Sequence, residues 1–470
     1  FHFVVYMAFY AVRVVANTLN LKNIISQFFP ILWQDPTIFY YISRITNAFI
    51  GALTVYPLYY STLKLLRLKN LAFFSAVILT FVPYHVYDSH LALLDTALTF
   101  WCAVSLYFIF SIINNPGIKF FMLSGFFLGI AFGTKYNGIF YFLVVFFAVI
   151  YSLKGKSFTE KLLEFFSVSY IKKYFIFTIS FLVGFYGTNP FALLKPHLFW
   201  STRYGRGFLF QFENVGSNDP EMYLSEFIKL FYTQLSGDLG FGLYLIVILG
   251  FILYVFFCFR NKVTNLTLFM PILLILYMVT KERNPSHYFE FLYPLFSIFA
   301  VYFLWLLLTK ISFYFKKNSP EYFVIIYGFL LIILLLPSIY GSIAFTISFA
   351  NYDTRQLGYN YLASNVGKDD LVYIYGDGLD VVNFDKINEQ KLKRVDVSEV
   401  DKSKLPFYLL LSVKNLTYED VMAGKRDTRK IKGNEGRLLK NSELLYYKIP
   451  EKYQFGPSVF IFKINEVIPK

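Results

Sequence analysis

Over 470 residues the chain is 56% hydrophobic and 21% aromatic but only 16% charged, and it carries a net charge of +14. These proportions exclude an ordinary soluble domain and describe a polytopic membrane protein. The positive charge does not point to nucleic acid, because there is no basic tail, no aromatic and basic interleaving and no nucleic-acid motif; membrane lipid is the partner it implies.

In chain order, Phe3 to Leu19 is apolar, with Arg13 at its middle and Asn17-Thr18-Leu19-Asn20 at its end, and reads as a helix lying at the membrane interface. The chain opens without Met inside this apolar run, which predicts a fragment of a longer sequence. Apolar stretches follow at Ile45 to Leu66, Leu71 to Tyr87, Leu91 to Ile113, Ile118 to Gly133, Gly138 to Leu153 and Tyr174 to Leu194. Four more lie at Phe241 to Phe259, Leu266 to Thr280, Tyr288 to Leu308 and Tyr322 to Phe349. The expectation is about ten spans, several near the short limit for a bilayer of about 30 Å. Cys102 and Cys258 lie in or at the end of spans and say nothing of redox compartment.

Lys and Arg concentrate in alternate connections, such as those holding Lys64, Arg67 and Lys69, or Lys154, Lys156, Lys161, Lys172 and Lys173. Such connections stay cytoplasmic, which turns Asp95, Lys135, Lys281, Arg283 and the loop 195–240 outward. The same alternation places everything after Phe349 outside. Residues 1–349 therefore form a membrane module, and 350–470 a small outer α/β domain. In the latter, Asp353 to Asn365 reads as a capped amphipathic helix with Leu357, Tyr361 and Leu362 on one side, and Asp370 to Tyr375, Leu405 to Val413, Leu444 to Ile449 and Val459 to Ile464 read as strands. The stretch Asp377 to Lys404 reads as solvated loop and edge.

The polar signals cluster at outer span ends. Asp95 opens an apolar span, with Asp88 and His90 shortly before it, and a carboxylate at a span end usually faces a polar cavity with a chemical task. The alternative for Asp95 is a helix N-terminal residue favoured by the macrodipole and wetted by headgroups. Lys135, Lys281 and Arg283 are the basic residues of short outward connections, where snorkelling and headgroup contact compete with a binding role. Tyr136, His287 and Tyr288 are either substrate contacts or members of the aromatic belt. In the loop 195–240, Trp200, Tyr204 and the charged residues around them suit either a lid or a surface helix.

Three segments carry a resemblance: Arg44-Ile45-Thr46-Asn47-Ala48-Phe49-Ile50-Gly51, Pro83-Tyr84-His85-Val86-Tyr87-Asp88-Ser89-His90 leading to Asp95, and Gly133-Thr134-Lys135-Tyr136-Asn137-Gly138. Asn189-Pro190-Phe191-Ala192-Leu193-Leu194 and His287-Tyr288-Phe289-Glu290-Phe291-Leu292-Tyr293-Pro294 continue it. Their order resembles the polyprenyl-phosphate-dependent glycosyltransferases of the GT-C membrane class, among them protein O-mannosyltransferases and lipid A aminoarabinose transferases. The resemblance implies inverting transfer of a mannose-like hexose or related sugar from a polyprenyl-phosphate-linked sugar donor to a protein, lipid or glycan hydroxyl, at the outer face of the cytoplasmic membrane.

It also implies roles. Asp95 matches the family's second acidic position, where it orients the acceptor or the base, or binds a divalent cation, magnesium or manganese; Thr96 follows it where an acidic pair would be expected. The principal base is expected in a first outer loop upstream of Phe1. His90 is a catalytic candidate beside Asp95, and Asp88, Lys135, Tyr136, Lys281, Arg283, His287 and Tyr288 are candidates for binding substrate. A transporter or flippase is the rival, because many spans and buried polar residues are common to both; neither an inverted repeat nor paired broken helices are visible in the sequence.

Overall fold

The computed structural model describes residues 37–201, 208, 224–225, 228–279, 285–314, 320–351, 353–367, 370–376, 391–394, 406–413, 442–450 and 458–465. The expected interfacial helix at Phe3 to Leu19 lies outside the described residues. The chain divides into two compact units, with Tyr40–Ile343 in the first and Ala344–Lys470 in the second.

All ten predicted apolar stretches fall on helices, from Thr37–Leu66 to Pro320–Ala350. Their lengths differ more than the expectation of about ten spans implies. Among the described residues four helices are long and apolar enough to cross a membrane, and five if the pair Lys69–Thr80 and Pro83–Ser89 counts as one span bent by 61°. Four shorter apolar helices accompany them: Ile118–Thr134, Tyr136–Ser152, Phe241–Phe256 and Lys262–Met278.

The bend has a covalent cause. Pro83 occupies the first turn of its helix and holds Val82 extended, so the helix ending at Thr80 cannot run through. A second break follows at Leu91 to Leu93, where the Asn47 amide donates to the carbonyls of Asp88 and Leu91 at 3.0 and 2.6 Å. A new helix starts at Leu94, and Asp95 sits in its first turn. Asp88 and Asp95 therefore stand on separate helices and share no single helix face.

Inside the first unit, Ile118–Thr134 packs along Val168–Thr188. The approach is close because the contact positions are glycines: a Cβ at Gly125 or Gly129 would meet the backbone carbonyl oxygen of Phe177 or Phe181 at 2.3 or 2.1 Å. Val168–Thr188 begins earlier than the sequence suggests, capped by Ser167, so Lys172 and Lys173 belong to the helix and not to a connection. It ends where Asn189 donates to the Gly133 carbonyl at 2.8 Å and Pro190 follows. Its other face leaves Phe175, Ile179, Leu182 and Val183 exposed, as a lipid-facing surface does.

The second unit is a five-stranded sheet in the order β2-β1-β3-β5-β4, formed by β1 (Leu371–Gly376), β2 (Lys391–Arg394), β3 (Phe407–Val413), β4 (Ser442–Lys448) and β5 (Ser458–Ile464). β1 runs parallel to β2 and β3, whereas β5 is antiparallel to β3 and β4. The four predicted strands are present, and β2 is the edge strand inside the stretch read as loop and edge. The helix Thr354–Asn365, capped by the Asp353 carboxylate, covers β4 and β5. It buries Tyr359 and Leu362 against Val372, Leu410, Val459 and Ile461, whereas Leu357 and Tyr361 are only partly buried. That face differs from the expected one because Gly358, whose Cβ would meet Val459 at 2.8 Å, brings the helix down on its own side.

Candidate active site

Helix ends build the site. Asp95 is 4% exposed in the first turn of Leu94–Asn114, where the macrodipole favours a carboxylate. Its Oδ1 pairs with the ammonium of Lys135, which follows the end of Ile118–Thr134. The Lys135 side chain retains 22% exposure, against 5% for Asp95, so the ammonium is the partner that reaches open space. Its Nζ also lies 4.5 Å from the ring centre of Tyr288, a cation held between a carboxylate and an aromatic face. An ion pair this sheltered retains far more attraction than one on a wet surface.

Behind this pair stands a buried polar group that the sequence reading did not single out. Glu290, fully buried, places Oε1 2.8 Å from His85 Nδ1. His85 Nε2 lies 3.2 Å from the Gly51 carbonyl, which can only accept, so Nε2 carries a hydrogen. A further proton then lies between Nδ1 and Oε1, since two lone pairs would repel at that distance. Glu290 Oε2 is 3.5 Å from Thr96 Oγ1, at the outer limit of a hydrogen bond. The Asp88 carboxyl is fully buried beside Glu290, and neither of its oxygens has a hydrogen-bond partner as a carboxylate. One proton between the two carboxyl groups would turn that approach into an O–H···O bond.

Asp238, on Leu235–Leu239, joins this acidic neighbourhood. Burial is the main reason that its carboxyl is pushed up to about 8; the Asp88 carboxyl adds to the effect, and a Ser286 hydroxyl opposes it.

Other predicted residues lie near or apart from this arrangement. His90, at the end of Pro83–Ser89, turns Nδ1 back to the Val86 carbonyl at 2.7 Å. Tyr136 packs its ring on Phe132 and Phe208. His287 lies edge-on to Tyr288, with ring centres 4.8 Å apart. Trp200 packs on Phe185, Phe199 and Phe208. Lys281 and Arg283 lie outside the described residues, as do Tyr204 and half of the loop 195–240. Glu290 and His85 were open to the rule that picked out Asp95, since each is an ionisable residue at the border of an apolar run.

The donor set at Asp95 does not fit the divalent cation that the resemblance implies. One carboxylate oxygen already takes the Lys135 ammonium, whose charge would repel a metal ion. Among the described residues no group of three or more His, Cys, Asp or Glu is arranged to hold a metal.

Comparison with known families finds a match to the dolichyl-phosphate-mannose-protein mannosyltransferase family over residues 22–198, a stretch that includes His85, Asp88, Asp95 and Lys135. Comparison with curated proteins finds no match. Among solved structures, the chain overlaps ArnT from Cupriavidus metallidurans bound to undecaprenyl phosphate, at 13% identity, 91% of this chain, 85% of that chain and a TM-score of 0.43. It overlaps the apo oligosaccharyltransferase of Archaeoglobus fulgidus at 12% identity and a TM-score of 0.40, over 79% of this chain and 58% of that one. A third overlap is with the archaeal oligosaccharyltransferase AglB from Archaeoglobus fulgidus in complex with an inhibitory peptide and a dolichol-phosphate, at 12% identity, 74% of this chain, 52% of that one and a TM-score of 0.37. Overlaps this low carry no residue roles across. The motif-based resemblance and the family match agree over the segment that holds the Asp95 and Lys135 pair: the chain resembles the polyprenyl-phosphate-dependent membrane glycosyltransferases of the GT-C class.

Proposed function

We propose that the chain is a membrane glycosyltransferase that moves a sugar from a polyprenyl-phosphate donor to a hydroxyl on a protein, lipid or glycan, at the outer face of the cytoplasmic membrane. The observation that carries this reading is the Lys135 ammonium, held by Asp95 and Tyr288 where two helices end and partly open to solvent. The outward face follows from the Lys and Arg distribution between apolar stretches.

In this reading the acceptor oxygen attacks the anomeric carbon as the bond from that carbon to the phosphate oxygen breaks, with inversion. The acceptor proton passes to a carboxylate base, and the lipid phosphate leaves with the bonding electrons. Charge grows on the phosphate during this step, so a fixed ammonium stabilises the transition state more than the bound donor. Asp95 keeps that ammonium in place and orients the acceptor. A mannose-like hexose fits the family match over residues 22–198.

The test supplies labelled polyprenyl-phosphate mannose and a panel of hydroxyl acceptors to the purified protein and to Asp95→Asn. Transfer is expected to fall about a hundredfold or more in the variant. Equal transfer would remove Asp95 from the site.

The 61° bend between Lys69–Thr80 and Pro83–Ser89, with buried Asp88 and Glu290 nearby, favours a second reading, a lipid or sugar transporter. Movement of a fluorescent lipid phosphate across vesicles holding the protein, without sugar transfer, would select it.

A further inference from the structure

Glu290 ties the segment that carries Tyr288 to those that carry His85 and Asp95. Its Oε1 meets His85 Nδ1 at 2.8 Å, and His85 in turn is anchored on the Gly51 carbonyl of the Thr37–Leu66 helix at 3.2 Å. The other oxygen lies 3.5 Å from the hydroxyl of Thr96, the neighbour of Asp95. The short turn Glu290–Leu292 packs on Leu94–Asn114, and Tyr288, whose ring faces the Lys135 ammonium, stands two positions before Glu290. Moving the Glu290 turn thus moves the aromatic side of the ammonium's seat against its acidic side.

A fully buried carboxyl is costly to keep, and an apolar residue of similar size would often serve stability as well or better. What an apolar side chain lacks is direction: it fills the volume without fixing where the turn sits relative to His85.

We propose that Glu290 is a positioning residue which, bridged to His85, holds the Tyr288 turn against the Asp95 helix and so keeps the Lys135 ammonium in its pair with Asp95. The functional importance of that pair rests on the glycosyltransferase reading. The strut itself does not, and its test needs no turnover.

The full chain, purified in detergent, is treated with formaldehyde and cyanoborohydride, and dimethylation of Lys135 is followed by mass spectrometry in wild type, Glu290→Leu, Glu290→Gln and Asp95→Asn, with thermal midpoints measured alongside. Asp95→Asn, which removes the ammonium's charged partner, sets the scale of full exposure. Glu290→Leu, which keeps the volume and loses the bridge, is expected to label about tenfold faster than wild type or more, approaching Asp95→Asn. Glu290→Gln is expected to stay within about threefold of wild type, because a carboxamide still donates to Nδ1 and accepts from Thr96. His85→Leu removes the strut from its other end and serves where Glu290→Leu fails to fold.

Wild-type labelling in Glu290→Leu or His85→Leu would overturn the proposal, as would Glu290→Gln exposing Lys135 as fully as Glu290→Leu. A wild type that neither transfers sugar nor binds undecaprenyl phosphate, while Glu290→Leu still exposes Lys135, would leave the strut standing and remove the enzyme reading. Sugar transfer with labelling insensitive to Glu290 would do the reverse.

Discussion

Lys135 and Asp95, 40 positions apart in the sequence, meet as an ion pair between the end of one helix and the first turn of another. Removing either partner alone leaves the other charge in a sheltered place, and for a buried pair that loss is about 3–5 kcal/mol. Lys135→Met is therefore expected to lower the thermal midpoint clearly, because the Asp95 side chain it strands is only 5% exposed. Adding Asp95→Asn to Lys135→Met is expected to recover part of the loss. Additive losses across the two single variants and the double variant would mean that the pair does not hold in solution.

Asp238 gives a pH dependence of defined sign. Its carboxyl is raised to about 8 in the folded chain, chiefly by burial, from an ordinary value of 3.8. Between those values the folded state holds a proton that the unfolded state has lost, so stability is full below the lower value and falls as pH rises through the upper one. The slope contributed by this group is at most about 1.4 kcal/mol per pH unit. Asp238→Asn keeps the neutral shape at every pH, and thermal midpoints measured from pH 5 to pH 9 are expected to fall less steeply in the variant. Parallel curves would place the proton elsewhere.

Much of this organisation is legible in the sequence. Every predicted apolar stretch falls mainly on helix, since apolar composition over such lengths leaves few other solutions, and Asp95 and Lys135 are found because ionisable groups at span ends stand out against an apolar background. The partnership of Glu290 with His85 spans 205 positions, and no local pattern announces it. The break that separates Asp88 from Asp95 is likewise bridged from a distance, by the Asn47 amide 41 and 44 positions away. In the second unit, β2 escapes notice because Lys391-Leu392-Lys393-Arg394 holds one apolar residue among three basic ones and shows no apolar alternation.

The seam between Ile118–Thr134 and Val168–Thr188 predicts a sharp steric effect. At Gly129 a methyl group would stand 2.1 Å from the Phe181 carbonyl oxygen, and backbone cannot swing aside as a flexible side chain does. Gly129→Ala is expected to lose about 1–3 kcal/mol. Thermal unfolding in detergent reads this directly, and Gly187→Ala, with nothing within 4 Å of its Cβ position, serves as the control on the same pair of helices. Similar midpoints for the two variants would show that the helices spread without penalty.

The Tyr141 hydroxyl predicts an effect that reaches the site without touching it. Fully buried, it donates at 2.7 Å to the carbonyl of Phe291, inside the turn that Glu290 opens. Tyr141→Phe removes only the hydroxyl and leaves that bond unmade, at a loss of about 1–3 kcal/mol. With its backbone tether gone, the turn is expected to hold Tyr288 less firmly, so that dimethylation of Lys135 rises, though by less than in Glu290→Leu. A drop in thermal midpoint with Lys135 still protected would mean that the His85 bridge alone fixes the turn, and that the Tyr141 bond serves packing but not the ammonium's seat.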